Sequence, residues 1–122
     1  MKTRKLLVLI ALLAPLTFAA DETYAGWVSD SGCALARASA GTYTATNPDC
    51  ARRCVKEGKK VVLISQERKT VFSIENPEAL RSEVGNKVIV LAISVGKNSL
   101  HVNKVTSSEK SSPECGRPRL KE

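Results

Sequence analysis

The stretch NPEALRSEVG, residues 76–85, decides the fold. Asn76 can cap a helix, Pro77 suits the first turn, Glu78 stands near the amino end, and Gly85 supplies a left-handed exit. A short helix is therefore expected over Pro77 to Val84, and the segments on both sides of it have strand character. Upstream, KKVVLISQ (59–66) and KTVFSI (69–74) are runs rich in β-branched residues joined by the polar QERK (66–69), which reads as a hairpin. Downstream, KVIVLAISV (87–95) and SLHVNKV (99–105) meet at GKN (96–98), and this turn is the strongest hairpin signal in the chain. The run from Lys87 to Val95 is apolar at nearly every position, which predicts burial on both faces.

Towards the amino end, ETYAGWVSDSG (22–32) reads as a first strand carrying Tyr24 and Trp27 and closing in the turn-forming SDSG. Residues 33–46 are rich in Ala, Ser, Thr and Gly, with Leu35 and Tyr43 as their only large apolar side chains, and are expected to form a loop or a loose turn of helix. Asn47 as cap, Pro48 in the first turn, Asp49 at the positive end of the dipole and Gly58 as exit define a helical insertion at 47–58. Strand, helical insertion, hairpin, short helix, hairpin is the element order of a five-stranded Greek-key barrel of the oligonucleotide/oligosaccharide-binding type, with the short helix between the third and fourth strands. A small open α+β sandwich is the competing architecture. The expected division is a leader at 1–19, one β domain at 20–108, and an irregular polar tail at 109–122 that contains Cys115.

The leader has the layout of an export signal. Lys2, Arg4 and Lys5 precede the apolar run LLVLIALLAPLTF (6–18), and small residues at Thr17 and Ala19 suit cleavage after Ala19. Pro15 interrupts the run, which is shorter than the roughly 20 residues a membrane span requires. A secreted or periplasmic chain with no membrane span after cleavage is expected. Of 19 Lys and Arg, three leave with the leader, so about four more cations than acids remain. Arg52, Arg53, Lys56, Lys59 and Lys60 form their densest group, with Glu57 among them. Mild basicity of this kind is mainly a solvated surface, and it also suits an anionic envelope or extracellular ligand. The length matches one domain with a modest core, which cross-links would reinforce.

Four cysteines, Cys33, Cys50, Cys54 and Cys115, are the disulfide candidates, because exported chains with an even count usually pair them. On a helix, Cys50 and Cys54 would share one face with β-carbons about 5–6 Å apart, beyond the roughly 3.5–4.5 Å of a disulfide. Each is then expected to bridge to Cys33 or Cys115, leaving two connectivities open. The alternative is a metal or thiol-redox site: Cys33, Cys50 and Cys54 with His101, the single histidine, could complete a tetrahedral zinc set. Zinc signatures usually pair two short-spaced knuckles, and only one is present here. Cys50, near a helix amino end and beside Arg52 and Arg53, is the residue for thiolate chemistry, though no C-x-x-C motif occurs. The plain reading of His101, between Leu100 and Val102, is a solvent-facing strand residue.

Beyond that thiol alternative, catalysis finds little support. Ser29, Asp30 and Ser31 are neighbours that alternate in direction along a strand end and have no nearby histidine as base. The carboxylates show no acid and base spacing, and no glycine-rich phosphate loop occurs. Trp27, Tyr24, Tyr43 and Phe72 are too few for a stacking platform, so nucleic acid is not the expected partner. Phe72 reads as core, whereas Trp27 is divided between core and a ligand-facing position.

GWVSDSGC (26–33), CARRCVKEGKKVVLI (50–64) and NKVIVLAISVGKNSLHV (86–102) together resemble a family of small exported bacterial proteins whose function is not assigned. Its members read G-x-x-x-D-S-x-C, then C-V-x-x-C-V-x-x-G-x-x-Y-V-L-V, and end in G-x-x-V-x-V-x-G with a closing hairpin. The similarity spans about Gly26 to Val105, and Asp30, Ser31, Cys33, Cys50, Cys54 and Gly58 match the motif. Relatives often carry a histidine four residues after the first cysteine, which with three cysteines suggests a metal; here that place holds Arg37. The resemblance with this substitution, and with Cys115 added, implies disulfides in this chain. The expectation is a non-enzymatic, disulfide-stapled binding or structural module without a cofactor, with Trp27, Asp30, Arg52 and Arg53 as binding candidates.

Overall fold

In the computed structural model, residues 20–110 are described. The leader and most of the tail, including Cys115, lie outside them. The described chain is mainly β, a closed barrel of five strands with two short helices. The strands are β1 (Glu22–Asp30), β2 (Val61–Ser65), β3 (Thr70–Ile74), β4 (Asn86–Gly96) and β5 (Ser99–Lys110), and the helices are α1 (Ser31–Ser39) and α2 (Pro48–Lys56).

Around the barrel the order is β1, β2, β3, β5, β4 and back to β1. All pairings are antiparallel except the short parallel contact of β3 with β5, where Ser73 faces Ser99 and Ile74 faces Leu100. This circuit is consistent with the oligonucleotide/oligosaccharide-binding type. Inward side chains fill the barrel, among them Tyr24, Val28, Leu63, Phe72, Val88, Val90, Leu100 and Val102. Tyr24 and Phe72 meet edge to face with ring centroids 5.3 Å apart. Gly26 lets β1 and β2 approach: a β-carbon there would lie 2.2 Å from the carbonyl oxygen of Ile64.

The strand covered on both faces is β2, not β4. Val61 and Leu63 point into the barrel, while Val62 and Ile64 are covered from outside by Ala34 of α1, with Tyr43 and Val71 beside them. On β4 only Val88, Val90 and Ala92 are buried. Ile89 and Val95 are 38% and 47% exposed, so its outer face is an apolar row open to solvent. An unbroken apolar run cannot distinguish these cases, because the side-chain period of a strand is two whatever the composition.

The segment 33–46, expected to be a loop or a loose turn of helix, contains most of the regular helix α1. Asp30 caps this helix, its carboxylate accepting from the Cys33 amide at 3.0 Å, and the Ser31 amide donates to the Lys60 carbonyl at 2.8 Å. The insertion expected at 47–58 is α2, with Asn47 capping the amides of Asp49 and Cys50 as its sequence suggests.

Residues 77–84 form no α-helix. They make two single 3-10 turns, Pro77–Ala79 and Arg81–Glu83, around Leu80, which is fully buried in the barrel core. The cap that would have started a helix is used elsewhere, since the Asn76 side chain bonds the backbone of Val102. Strand β5 runs through Glu109 and Lys110, two residues past the expected domain end. They pair with Lys87 and Asn86, a backbone ladder that the polar side chains do not announce.

Candidate functional site

Two neighbouring features of the described residues have chemical potential, a thiol and carboxylate cluster and a cationic groove. The cluster lies where β1 passes into α1. Asp30 is the last residue of β1, Cys33 lies in the first turn of α1, and Cys54 comes from the last turns of α2. One carboxylate oxygen and the two sulfurs all lie within 4.8 Å of one another. Asp30 is fully buried. Its oxygens accept from the Cys33 amide at 3.0 Å and, at 3.5 Å, from the Ser29 hydroxyl, which also bonds the Thr46 hydroxyl. Among the described residues no cationic side chain pairs with it.

Burial pushes the Cys33 thiol above its ordinary value, and the Asp30 charge and the neighbouring thiols add to the effect. Cys33 therefore stands as a neutral thiol at neutral pH, unlike an activated thiolate nucleophile.

Cys33, Cys50 and Cys54 are all free, so the expected bridges are not formed among the described residues. Cys50 and Cys54 lie on α2 four residues apart and are not joined, and Cys50 is exposed outside the 4.8 Å cluster. His101, the alternative zinc ligand, is elsewhere: its Nδ1 lies 3.2 Å from Glu75 Oε2. The buried carboxylate of Asp30, not the imidazole, joins the sulfurs. Arg37 binds the connection between the helices, donating to the Ala45 carbonyl and, at 3.1 Å, to the Thr44 hydroxyl.

The groove, of about 840 Å³, runs between α2, the start of β2, the end of β3 and the 3-10 turns. That volume is within the roughly 300–1,000 Å³ of small-molecule sites. Val55, Val61, Ile74 and Val84 supply apolar lining, and Arg52, Lys56, Lys59, Lys60 and Arg81 supply the charge. Arg52 pairs with Asp49 at 3.2 Å, and Glu75, the one acid in the lining, faces His101. Lys56, Lys59, Lys60 and Arg81 have no acidic partner among the described residues.

Of the four binding candidates, Arg52 lines the groove, and Arg53 is exposed but not part of it. Asp30 is buried in the cluster. Trp27 is half-buried on the outer face of β1, with the Lys87 ammonium 5.3 Å from its ring centroid, beside a small depression of about 270 Å³ that shares no residue with the groove. Arg81 went unnoticed in the sequence because its run carries no charge excess; only the path of the chain brings it opposite Lys59 and Lys60.

Among the described residues no helix is long and apolar enough to cross a membrane. No protein-family model, curated protein or solved structure matches the chain.

Proposed function

We propose that the chain is an exported, non-catalytic binding module whose groove holds an anionic amphiphile, a carboxylate or phosphate head on an apolar body. The observation that carries this reading is the set of four cations without acidic partners, Lys56, Lys59, Lys60 and Arg81, around an apolar-lined groove. Clustered like charges repel one another, and an anion relieves that repulsion while its apolar part covers Val55, Ile74 and Val84. No aromatic side chain lines the groove, so the stacking that holds single-stranded nucleic acid is not supplied there. The basic leader supports export to the periplasm or beyond, where such amphiphiles occur as envelope components.

The test is a two-dimensional NMR titration of the purified domain with decanoate, and with decanol as an uncharged control of similar length. Decanoate should shift the amides of Lys56, Lys59, Val61 and Ile74, and the double variant Lys59→Glu/Arg81→Glu should lose most of that response while keeping its fold. Equal shifts with decanol, or shifts confined to the Trp27 side of the barrel, would sink the reading. A single-stranded oligonucleotide that competed with decanoate for the groove would do so too.

A further inference from the structure

The cluster of Asp30, Cys33 and Cys54 is independent of the groove reading and makes a different chemical demand. A fully buried carboxylate normally has a cation or several strong donors beside it, because desolvating an uncompensated charge is costly. Asp30 has one backbone amide, the weakly donating Cys33 thiol and a long contact to a hydroxyl, all of them neutral, and no cationic side chain among the described residues. Two sulfurs lie beside it on separate helices. A bridge between Cys33 and Cys54 would consume both thiols and leave that charge as it is. A divalent cation would neutralise it and take both sulfurs as ligands.

We propose that Asp30, Cys33 and Cys54 form a three-ligand site for a borderline-soft divalent cation of the zinc type. Two thiolates and a carboxylate suit such an ion, which accepts sulfur and oxygen ligands in tetrahedral geometry. Both thiols release their protons to solvent as the ion binds, and the fourth coordination position is open to water. Cys50 is exposed and outside the cluster, so it is not a ligand. The ion clips two segments, the junction of β1 with α1 and the later turns of α2, so its binding also ties α2 to the barrel.

Zinc is added to the reduced, metal-free protein and its uptake counted by native mass spectrometry. Affinity is measured by competition with a chromogenic chelator, and cobalt serves as a probe for thiolate charge-transfer absorption. One ion per chain and a thiolate band are expected. Asp30→Asn keeps an equally good helix cap while removing the charge, so its helix content should hold while zinc affinity falls at least about tenfold. Cys54→Ser should lose the thiolate band or halve it, and Cys50→Ser should bind zinc as the wild type does. No uptake by the reduced wild type, unchanged affinity in Asp30→Asn, or loss of binding in Cys50→Ser would each overturn the assignment. So would protein isolated from its own compartment without metal and with Cys33 linked to Cys54 in a non-reducing digest.

Discussion

Asn76 grips Val102 with both ends of its side-chain amide: Nδ2 donates to the Val102 carbonyl at 2.7 Å, and Oδ1 accepts from its N–H at 2.8 Å. The parallel contact between β3 and β5 covers only two residue pairs, and this side chain extends it past the end of β3. Replacing Asn76 with Ala should cost about 1–3 kcal/mol, the penalty of unpairing backbone groups in a half-buried place. A urea midpoint that falls without a change of slope is the expected result, whereas an unchanged midpoint would show that water replaces the amide at no loss.

Gly85 has a φ of +91°, and a β-carbon there would lie 2.8 Å from the Pro48 β-carbon. Its amide also donates to the Val28 carbonyl at 2.8 Å, so the backbone cannot easily turn away. We expect Gly85→Ala to lose about 1–3 kcal/mol and to loosen α2 where Pro48 begins it. Thermal unfolding measures the first effect, and faster amide exchange over 48–56 would reveal the second.

Leu80 lies between the two 3-10 turns with no exposed surface. Truncation to Ala should destabilise the barrel by about 2–5 kcal/mol, more than the loss of an exposed apolar residue such as Leu35, which is 55% exposed. Chemical denaturation of the two variants side by side provides the comparison, and equal losses would contradict the assigned packing.

Glu83 is held below the ordinary carboxylate range, first by the Ser108 hydroxyl and then by the Asn86 amide, which donates at 3.0 Å; burial opposes them. A folded-state pKa lowered in this way contributes stability that is fully present above the unfolded-state value and is lost as pH falls through the folded one. Between about pH 6 and about pH 3 the wild type should therefore lose more stability than Glu83→Gln. Parallel acid limbs in the two urea series would remove this role from Glu83.

The strands were legible because β-branched runs and turn residues such as Gly96 and Asn98 are local signals, and the barrel sums them. Helix α1 was legible only as a loop or a loose turn, since one cap at Asp30 and one buried methyl at Ala34 hold it, and neither produces an amphipathic stripe. Asn76 misled for the opposite reason: a residue well suited to capping was recruited across 26 positions by β5. In the cluster, Cys33 and Cys54 were visible as chemistry and Asp30 as part of a motif, but their convergence depends on how α2 packs beside the start of α1. The groove likewise draws on segments separated along the chain: Arg52, Lys56, Lys59 and Lys60 are visible in the sequence as a basic group, whereas Arg81 and the apolar lining from β3 join them only through the fold.

The ring of strands has a consequence for how the molecule meets others. Every strand has a neighbour on both sides, but β1 and β5 outrun their shorter neighbours β2 and β3, so the margin before Trp27 on β1 and the margin beyond Val102 on β5 have no strand partner on that side among the described residues. Strand addition to the folded domain is thereby confined to those two margins, and the rest of the ring offers a partner no backbone to pair with.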